Sequence, residues 1–242
     1  MAAASSVDHG GTALAAALVA AYVGLVLGLR ADFERHFGEQ VEGYFANGAP
    51  RWRCALGLPT QVGTLPLLLG CAVVAHRFDV QRWGERTSHG ELRSVGERAF
   101  VAVFPAFLLL DWQICDVRVL LAAHHVVCLA GHACAALLSA GFPWYFLGVC
   151  ALELGSASCN LFCLYPSSPT LLALYEVAMS ASNLAALVCA WRWVAALDGI
   201  DASVSRRRLC QAFGALLSLL LVAARQWETI KAHRHHSGAL AP

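Results

Sequence analysis

Residues 119–140 read VLLAAHHVVCLAGHACAALLSA, an apolar stretch that contains three histidines and no Asp, Glu, Lys or Arg. At 1.5 Å per residue, a helix of this length roughly matches the hydrocarbon core of a bilayer, which is about 30 Å thick. Backbone polar groups in hydrocarbon must be hydrogen-bonded within their own element, and this length suits a helix rather than a barrel strand of about ten residues. The stretch therefore predicts a transmembrane helix with histidines near its middle.

Similar apolar runs lie on both sides of this stretch, and short polar segments separate them along almost the whole chain. The two runs that follow it contain one charged residue each, Glu153 and Glu176. We therefore predict an all-α protein, a polytopic membrane helical bundle of six to seven transmembrane helices. The seven apolar runs are residues 13–29, 55–75, 99–110, 119–140, 142–163, 170–191 and 209–224.

The composition favours the bilayer and excludes several other classes. Of the 242 residues, 58% are hydrophobic and only 14% are charged, whereas a typical soluble domain has about 25% charged residues. The net charge is +1 and no long basic block occurs, so we expect no nucleic-acid partner. The ten cysteines contain no Cys-x-x-Cys pair, and most lie in apolar runs, where they suit packing rather than zinc binding.

The sequence predicts one membrane domain with short appendages. Residues 1–51 are expected to form an N-terminal anchor helix and an acidic loop, and the first twelve residues lack the positive region of a cleavable signal. Residues 52–231 form the transmembrane domain, and residues 232–242 form a polar C-terminal tail. Lys and Arg are almost equally divided between the two sets of predicted loops, so the positive-inside rule leaves the sidedness open.

Six ionisable residues within or beside the apolar runs form the strongest candidate site. They are Asp111, Asp116, His124, His125, His132 and Glu153. A charge in hydrocarbon costs at least about 2.5 kcal/mol on insertion scales, so such residues usually face an interior cavity and have a function. Adjacent residues on a helix point about 100° apart, so His124 and His125 face different directions, whereas His125 and His132 share a face.

Two chemical hypotheses and one structural hypothesis follow for these residues. In the first, His124 or His125 acts as a general base or nucleophile that Asp111 or Glu153 orients. In the second, a metal or haem is bound, but the three histidines lie on one helix and their spacing is not diagnostic, so we expect no metal and no cofactor. The structural hypothesis makes the histidines helix-packing groups, which suits His132 best.

At these residues the chain resembles a known family. Residues 104–138, FPAFLLLDWQICDVRVLLAAHHVVCLAGHACAALL, are similar to the core of TLC-domain membrane proteins, in which an Asp precedes a short connector and a His-His pair. Glu153 and Asn160, seven residues apart, match a Glu and an Asn of the family's next helix. Trp227 and Lys231 resemble the aromatic-then-Lys ending of its final helix. The resemblance covers about residues 52–231.

The resemblance implies helices around a lipid-accessible cavity, usually in the endoplasmic reticulum. Ceramide synthases of this family transfer an acyl chain from acyl-CoA to a sphingoid amine and need the His-His pair, whereas other branches resemble regulators of lipid composition or cargo receptors. Here a single acid, Glu153, stands where synthases have a His-Asp-x-x-Ser-Asp segment. Gly155 replaces a usual Ser, and Phe162 a common Arg. The chain therefore looks like a member of the non-synthase branch.

The resulting prediction is a multi-pass membrane protein that acts in lipid homeostasis by binding, sensing or moving a lipid in an intramembrane cavity. The alternative is an acyl-CoA-dependent acyltransferase that uses the His-His pair, and a purely structural or trafficking role is a third hypothesis. The sequence leaves open whether the protein forms a homo-oligomer. The predicted lipid-binding residues are His124, His125, Asp111, Glu153 and Asn160, of which the first four would be catalytic in an acyltransferase.

Overall fold

A computed structural model of the chain describes residues 9–38, 50–88, 94–114, 119–138, 140–199 and 203–239. The regular elements of these residues are helices, which confirms the predicted all-α class. The α-helices are α1 (His9–Phe37), α2 (Arg51–Leu58), α3 (Leu65–Ala75), α4 (Val80–Ser88), α5 (Val95–Ile114), α6 (Val119–Leu138), α7 (Phe142–Leu164), α8 (Pro169–Ala196) and α9 (Val204–Ala239).

Five helical segments of the described residues are long and apolar enough to cross a membrane. Their outer faces expose large apolar side chains, among them Val177, which is 70% exposed, and Leu209, which is 71% exposed. Extensive apolar surface of this kind is stable against lipid rather than water. The chain therefore has the character of an integral, multi-pass membrane protein. The five segments are Ala13–Phe37, Arg51–Ala75, Phe142–Leu164, Pro169–Ala196 and Arg207–Ser237.

This number is smaller than the six to seven spans that the sequence predicts, and the difference concerns α5 and α6. Helix α5 carries Glu97, Arg98 and Asp111 within its 20 residues, so its uninterrupted apolar part is short. In α6 the apolar part that is described in full is His124–Leu138, which is shorter than a typical span.

Several helix ends differ from the predicted boundaries. Helix α1 continues to Phe37 instead of ending near residue 29, and α9 continues to Ala239, through most of the predicted polar tail. Charged side chains one turn apart favour these extensions, as in the ion pair of Arg30 Nε with Glu34 Oε1 at 2.7 Å. Arginines assigned to loops by sequence, including Arg53 and Arg225, therefore lie within helices.

A wide helical turn, Pro59–Thr64, joins α2 to α3 within one continuous span. Proline cannot donate a backbone hydrogen bond, and such wide turns inside helices often accompany functional sites. The turn buries two polar side chains, Thr60 and Gln61. The Thr60 hydroxyl is 2.8 Å from the Tyr22 hydroxyl of α1, which fixes this turn against the N-terminal helix.

Helix α7 packs along α8, and α8 packs along α9, so these three helices form the main wall of the bundle. The turn before α7 requires a glycine. Gly141 has φ +67°, and a Cβ at this position would lie 2.8 Å from Ala196 Cβ and 2.9 Å from Trp193 Cδ1 of α8. Aromatic packing joins α5 to α7, with the Phe100 and Phe146 rings stacked at a centroid distance of 3.7 Å.

Candidate functional site

An apolar cavity of about 140 Å³ lies among α6, α7, α8 and α9. Its lining on α9 runs from Cys210 to Arg225, a distance of about 22 Å along a helix. Aromatic side chains, including Trp144 and Trp193, line it near the turn between α6 and α7. The cavity is therefore long, and its lining is apolar along most of that length.

Polar side chains mark one end of this cavity. His124 of α6, Glu153 of α7 and Arg225 of α9 all belong to its lining. Glu153 and Arg225 lie well inside their membrane-spanning segments, so this end is deep in the bundle. The sequence prediction placed His124 and Glu153 at one site, and the structure brings both to this end of the cavity.

Arg225 is fixed by three hydrogen bonds to neighbouring helices. Its Nε donates to Asn183 Oδ1 at 2.9 Å, and its Nη1 donates to Ser156 Oγ at 2.9 Å. Its Nη2 donates to the backbone oxygen of Leu152 at 2.8 Å. All three acceptors are neutral, and among the described residues no carboxylate oxygen lies within 4.0 Å of this guanidinium.

Gly155 allows Arg225 to approach α7 closely. A Cβ at Gly155 would lie 2.9 Å from Arg225 Nη2 and 2.9 Å from Ser182 Cβ, so no larger residue fits without displacing them. The Ser182 hydroxyl, which donates to Met179 O at 2.9 Å, fills this space from α8. The glycine that departs from the TLC pattern therefore has a packing reason in this chain.

Glu153 and Asn160 are joined by Gln61 from the wide turn before α3. Gln61 Nε2 donates to Glu153 Oε2 at 2.9 Å, and Asn160 Nδ2 donates to Gln61 Oε1 at 2.9 Å. This pattern fixes the orientation of the Gln61 amide, because its NH₂ group faces the acid and its oxygen faces the Asn. The predicted Glu-Asn pair thus shares one polar partner, which sequence analysis did not identify.

Asp111 pairs with His125 and with Arg53. Arg53 Nε and Nη2 donate to the two Asp111 oxygens at 2.9 Å and 2.7 Å, and His125 Nε2 lies 3.2 Å from Asp111 Oδ2. The predicted orientation of a histidine by Asp111 is therefore present in the geometry. His125 is only 3% exposed and is not part of the cavity lining.

The two adjacent histidines face different surroundings, as their spacing predicts. His124 lines the cavity, and its Nε2 lies 3.6 Å from Cys128 Sγ one turn further along α6. His132 instead lies in the core, where its Nε2 donates to Val101 O at 3.0 Å and its Nδ1 accepts from the Tyr145 hydroxyl at 3.3 Å. This position fits a packing role for His132.

The candidate residue Asp116 lies outside the described residues. The described residues hold no group of three or more His, Cys, Asp or Glu side chains that could bind a metal ion.

A separate polar cluster closes the end of α3 against α4 and α5. Glu97 is fully buried, and its carboxylate accepts from His76 Nε2 at 2.9 Å, Trp83 Nε1 at 2.7 Å and the Ser94 backbone N–H at 2.7 Å. Burial raises the pKa of Glu97, but these hydrogen bonds outweigh it and lower the pKa below its ordinary value.

Sequence analysis missed several residues of these sites, among them Arg53, Gln61 and Arg225. The two arginines were assigned to polar loops because each stands next to an apolar run. The signal available for Gln61 was an uncharged polar side chain two residues after Pro59, inside an otherwise apolar run. Such a residue needs a partner in hydrocarbon, but the sequence does not identify that partner.

No protein-family model, no curated protein and no solved structure matches this chain.

Proposed function

We propose that the protein binds a membrane lipid in the cavity among α6, α7, α8 and α9 and acts in membrane lipid homeostasis by binding, sensing or moving it. The observation that carries this proposal is an apolar cavity inside membrane-embedded helices, with its charged groups gathered at one end. Ligand sites of this kind place a few polar groups in a mainly apolar wall, where they fix the orientation of the ligand. An amphipathic lipid fits both parts of the wall.

The length of the cavity supports an acyl chain as the apolar part of the ligand. Its volume of about 140 Å³ is close to the roughly 150 Å³ of an apolar cavity that holds a benzene-sized molecule, so the cavity encloses only part of a long chain. Its lining on α9 is nevertheless about 22 Å long, more than the roughly 15 Å depth of one leaflet of hydrocarbon. A space of this length and small volume suits one chain rather than two chains side by side.

Membership of the TLC family and a location in the endoplasmic reticulum are part of the same proposal. The pairing of Asp111 with His125, and the link from Glu153 through Gln61 to Asn160, give local support to the residues that carry the resemblance. We include α5 and α6 among the spans, which gives seven, because both pack within the bundle formed by the five longer segments.

The test is a substitution that fills the cavity, with a matched control on the outer face. Leu221 lines the cavity, whereas its neighbour Leu220 is 59% exposed. The full-length protein in nanodiscs would be labelled with a photoactivatable monoacylglycerol that carries a diazirine in its chain, and labelled peptides would be identified by mass spectrometry. We expect labelling of cavity-facing peptides to be lost in Leu221→Trp and retained in Leu220→Trp. Equal labelling in both variants would contradict the proposal.

The second candidate function is acyl transfer from acyl-CoA, favoured by the position of His124 in the wall of the cavity. In that reaction a histidine would attack the thioester carbonyl, with loss of the CoA thiolate. His124 is better placed for this step than His125, because only His124 lines the cavity. Intact mass spectrometry after incubation with long-chain acyl-CoA tests this function. A covalent acyl mass that disappears in His124→Ala would support it, and no added mass together with no turnover on sphingoid amines would contradict it.

A further inference from the structure

The guanidinium of Arg225 makes no direct ion pair with the described side chains around it, although Glu153 lines the same end of the cavity. A charged group within a membrane-spanning segment is costly and is normally paired with an opposite charge. The three acceptors that hold this guanidinium are Asn183 Oδ1, Ser156 Oγ and Leu152 O, all of them neutral. Among the described residues no carboxylate oxygen lies within 4.0 Å of it. Its positive charge therefore remains available at the polar end of the cavity.

The guanidinium also retains hydrogen-bonding capacity. An arginine has five N–H donors, and the contacts of Arg225 within the described part of the chain engage three. Because those contacts come from both α7 and α8, the plane of the group is held in place before any ligand arrives. A preorganised donor of this kind loses little conformational entropy on binding.

Glu153, which lines the same end of the cavity, does not cancel this charge by direct pairing. Its Oε2 accepts a hydrogen bond from Gln61 at 2.9 Å, and Gln61 is in turn bound by Asn160. The acid thus has its own partner on the side of the bundle formed by α2 and α3. Among the described residues that line the cavity, Arg225 is the only basic residue of the Lys or Arg type.

We infer that the cavity selects a single-chain lipid whose polar end is a carboxylate, bound by the free N–H groups of Arg225. This inference rests on the proposed lipid-binding function. A carboxylate carries one negative charge and accepts two parallel hydrogen bonds from a guanidinium. A phosphate monoester fits less well, because its charge of about −1.5 to −2 exceeds the single positive charge of Arg225, whereas one carboxylate matches it. The chain of the acid then lies along the apolar wall toward Cys210.

The experiment compares two probes that differ only at the polar end. A diazirine-bearing hexadecanoic acid and the matching hexadecanol would be photo-crosslinked to the full-length protein in nanodiscs. A charged hydrogen bond contributes about 1.5–3 kcal/mol, so the acid should label cavity peptides about tenfold or more above the alcohol. In Arg225→Gln this ratio should fall to near one, while labelling by the alcohol persists. Arg225→Lys should keep part of the preference.

Controls separate this inference from loss of the fold and from failure of the proposed function. Arg234→Gln removes an exposed arginine of α9 that does not line the cavity, and it should leave the ratio unchanged. The ratio of acid to alcohol labelling is also measured on the wild-type protein, so this part of the test does not depend on the folding of a variant. If acid and alcohol label the cavity equally, or if a folded Arg225→Gln keeps the acid preference, the inference is overturned while lipid binding stands. If neither probe labels the cavity, both proposals fail.

Discussion

The polar cluster around Glu97 and the polar end of the cavity at Arg225 show two different uses of buried charge. Glu97 is fully buried and receives three hydrogen bonds from His76, Trp83 and the Ser94 backbone. Arg225 is partly buried and makes three hydrogen bonds with neutral acceptors only, among the described residues. The Glu97 side chain is fully surrounded by other protein groups, whereas the Arg225 side chain lines a cavity.

The buried charge of Glu97 concerns the stability of the fold, whereas the charge of Arg225 concerns the binding of a ligand. A charge whose partners are all internal contributes to the stability of the folded chain, and its removal leaves buried partners unsatisfied. A charge that lines a cavity without a direct ion pair is available to pair with a ligand. We therefore expect substitutions in the first region to change the unfolding temperature and substitutions at Arg225 to change lipid selectivity.

The largest effect is expected for Glu97→Ala. The change leaves the His76 and Trp83 ring N–H groups and the Ser94 backbone N–H buried without their acceptor, at a cost of about 3 kcal/mol or more. Thermal unfolding of the detergent-purified protein should show a clear loss of stability. Glu228→Gln is the matched control, since Glu228 pairs with Lys231 at a site where both side chains are about 40% exposed. Equal stability of the two variants would contradict the distinction.

A smaller effect is expected for Asp111→Asn. The change removes the negative charge between Arg53 and His125, whose contacts with Asp111 measure 2.7 and 3.2 Å. Since about a fifth of each side chain of the Arg53–Asp111 pair is exposed, we expect a loss of about 2 kcal/mol. The double variant with Arg53→Met should recover part of it. If Asp111→Asn is still labelled by the hexadecanoic acid probe, the Asp111 pair does not contribute to lipid binding in the cavity. If a folded Asp111→Asn is no longer labelled, the pair does contribute to it.

The smallest effect is the pH dependence that Glu97 contributes. Because the pKa of Glu97 in the folded chain lies below its ordinary value of 4.5, its stabilisation is complete above that pH and is lost as the pH falls through the lowered pKa. The unfolding temperature of the wild type should therefore fall more between about pH 7 and about pH 3.5 than that of Glu97→Gln. Parallel curves for the two proteins would show that Glu97 is not a significant part of acid unfolding.

The sequence predicted the helical elements well and their ends poorly. Each of the seven apolar runs corresponds to a helical segment of the described residues, the second being formed by α2, the wide turn and α3 together. The lack of charge over such lengths allows little else in hydrocarbon. The ends differ because charged residues such as Arg30 and Glu34 pair one turn apart and let the helix continue beyond its apolar part. Such extensions have no hydropathy signal.

The candidate site was predicted in part, and the reason is the distance along the chain between partners. Asp111 and His125 are 14 residues apart, and the sequence proposed them as partners. Glu153 and Asn160 are seven residues apart, and the family resemblance named them together. Arg53 and Gln61 are separated from their acidic partners by 58 and 92 residues. No local pattern identifies contacts of that range.

The sequence by itself determined that this chain is helical, membrane-embedded and carries ionisable groups inside its apolar runs. These properties follow from hydropathy and from the cost of unpaired backbone groups in lipid, which act on each segment separately. Only the tertiary structure decided which of those groups are enclosed and which line a cavity. His124 and His125 are adjacent and identical in type, yet one lines the cavity and the other pairs with Asp111, because the packing of neighbouring helices, and not residue type, determines what each side chain contacts.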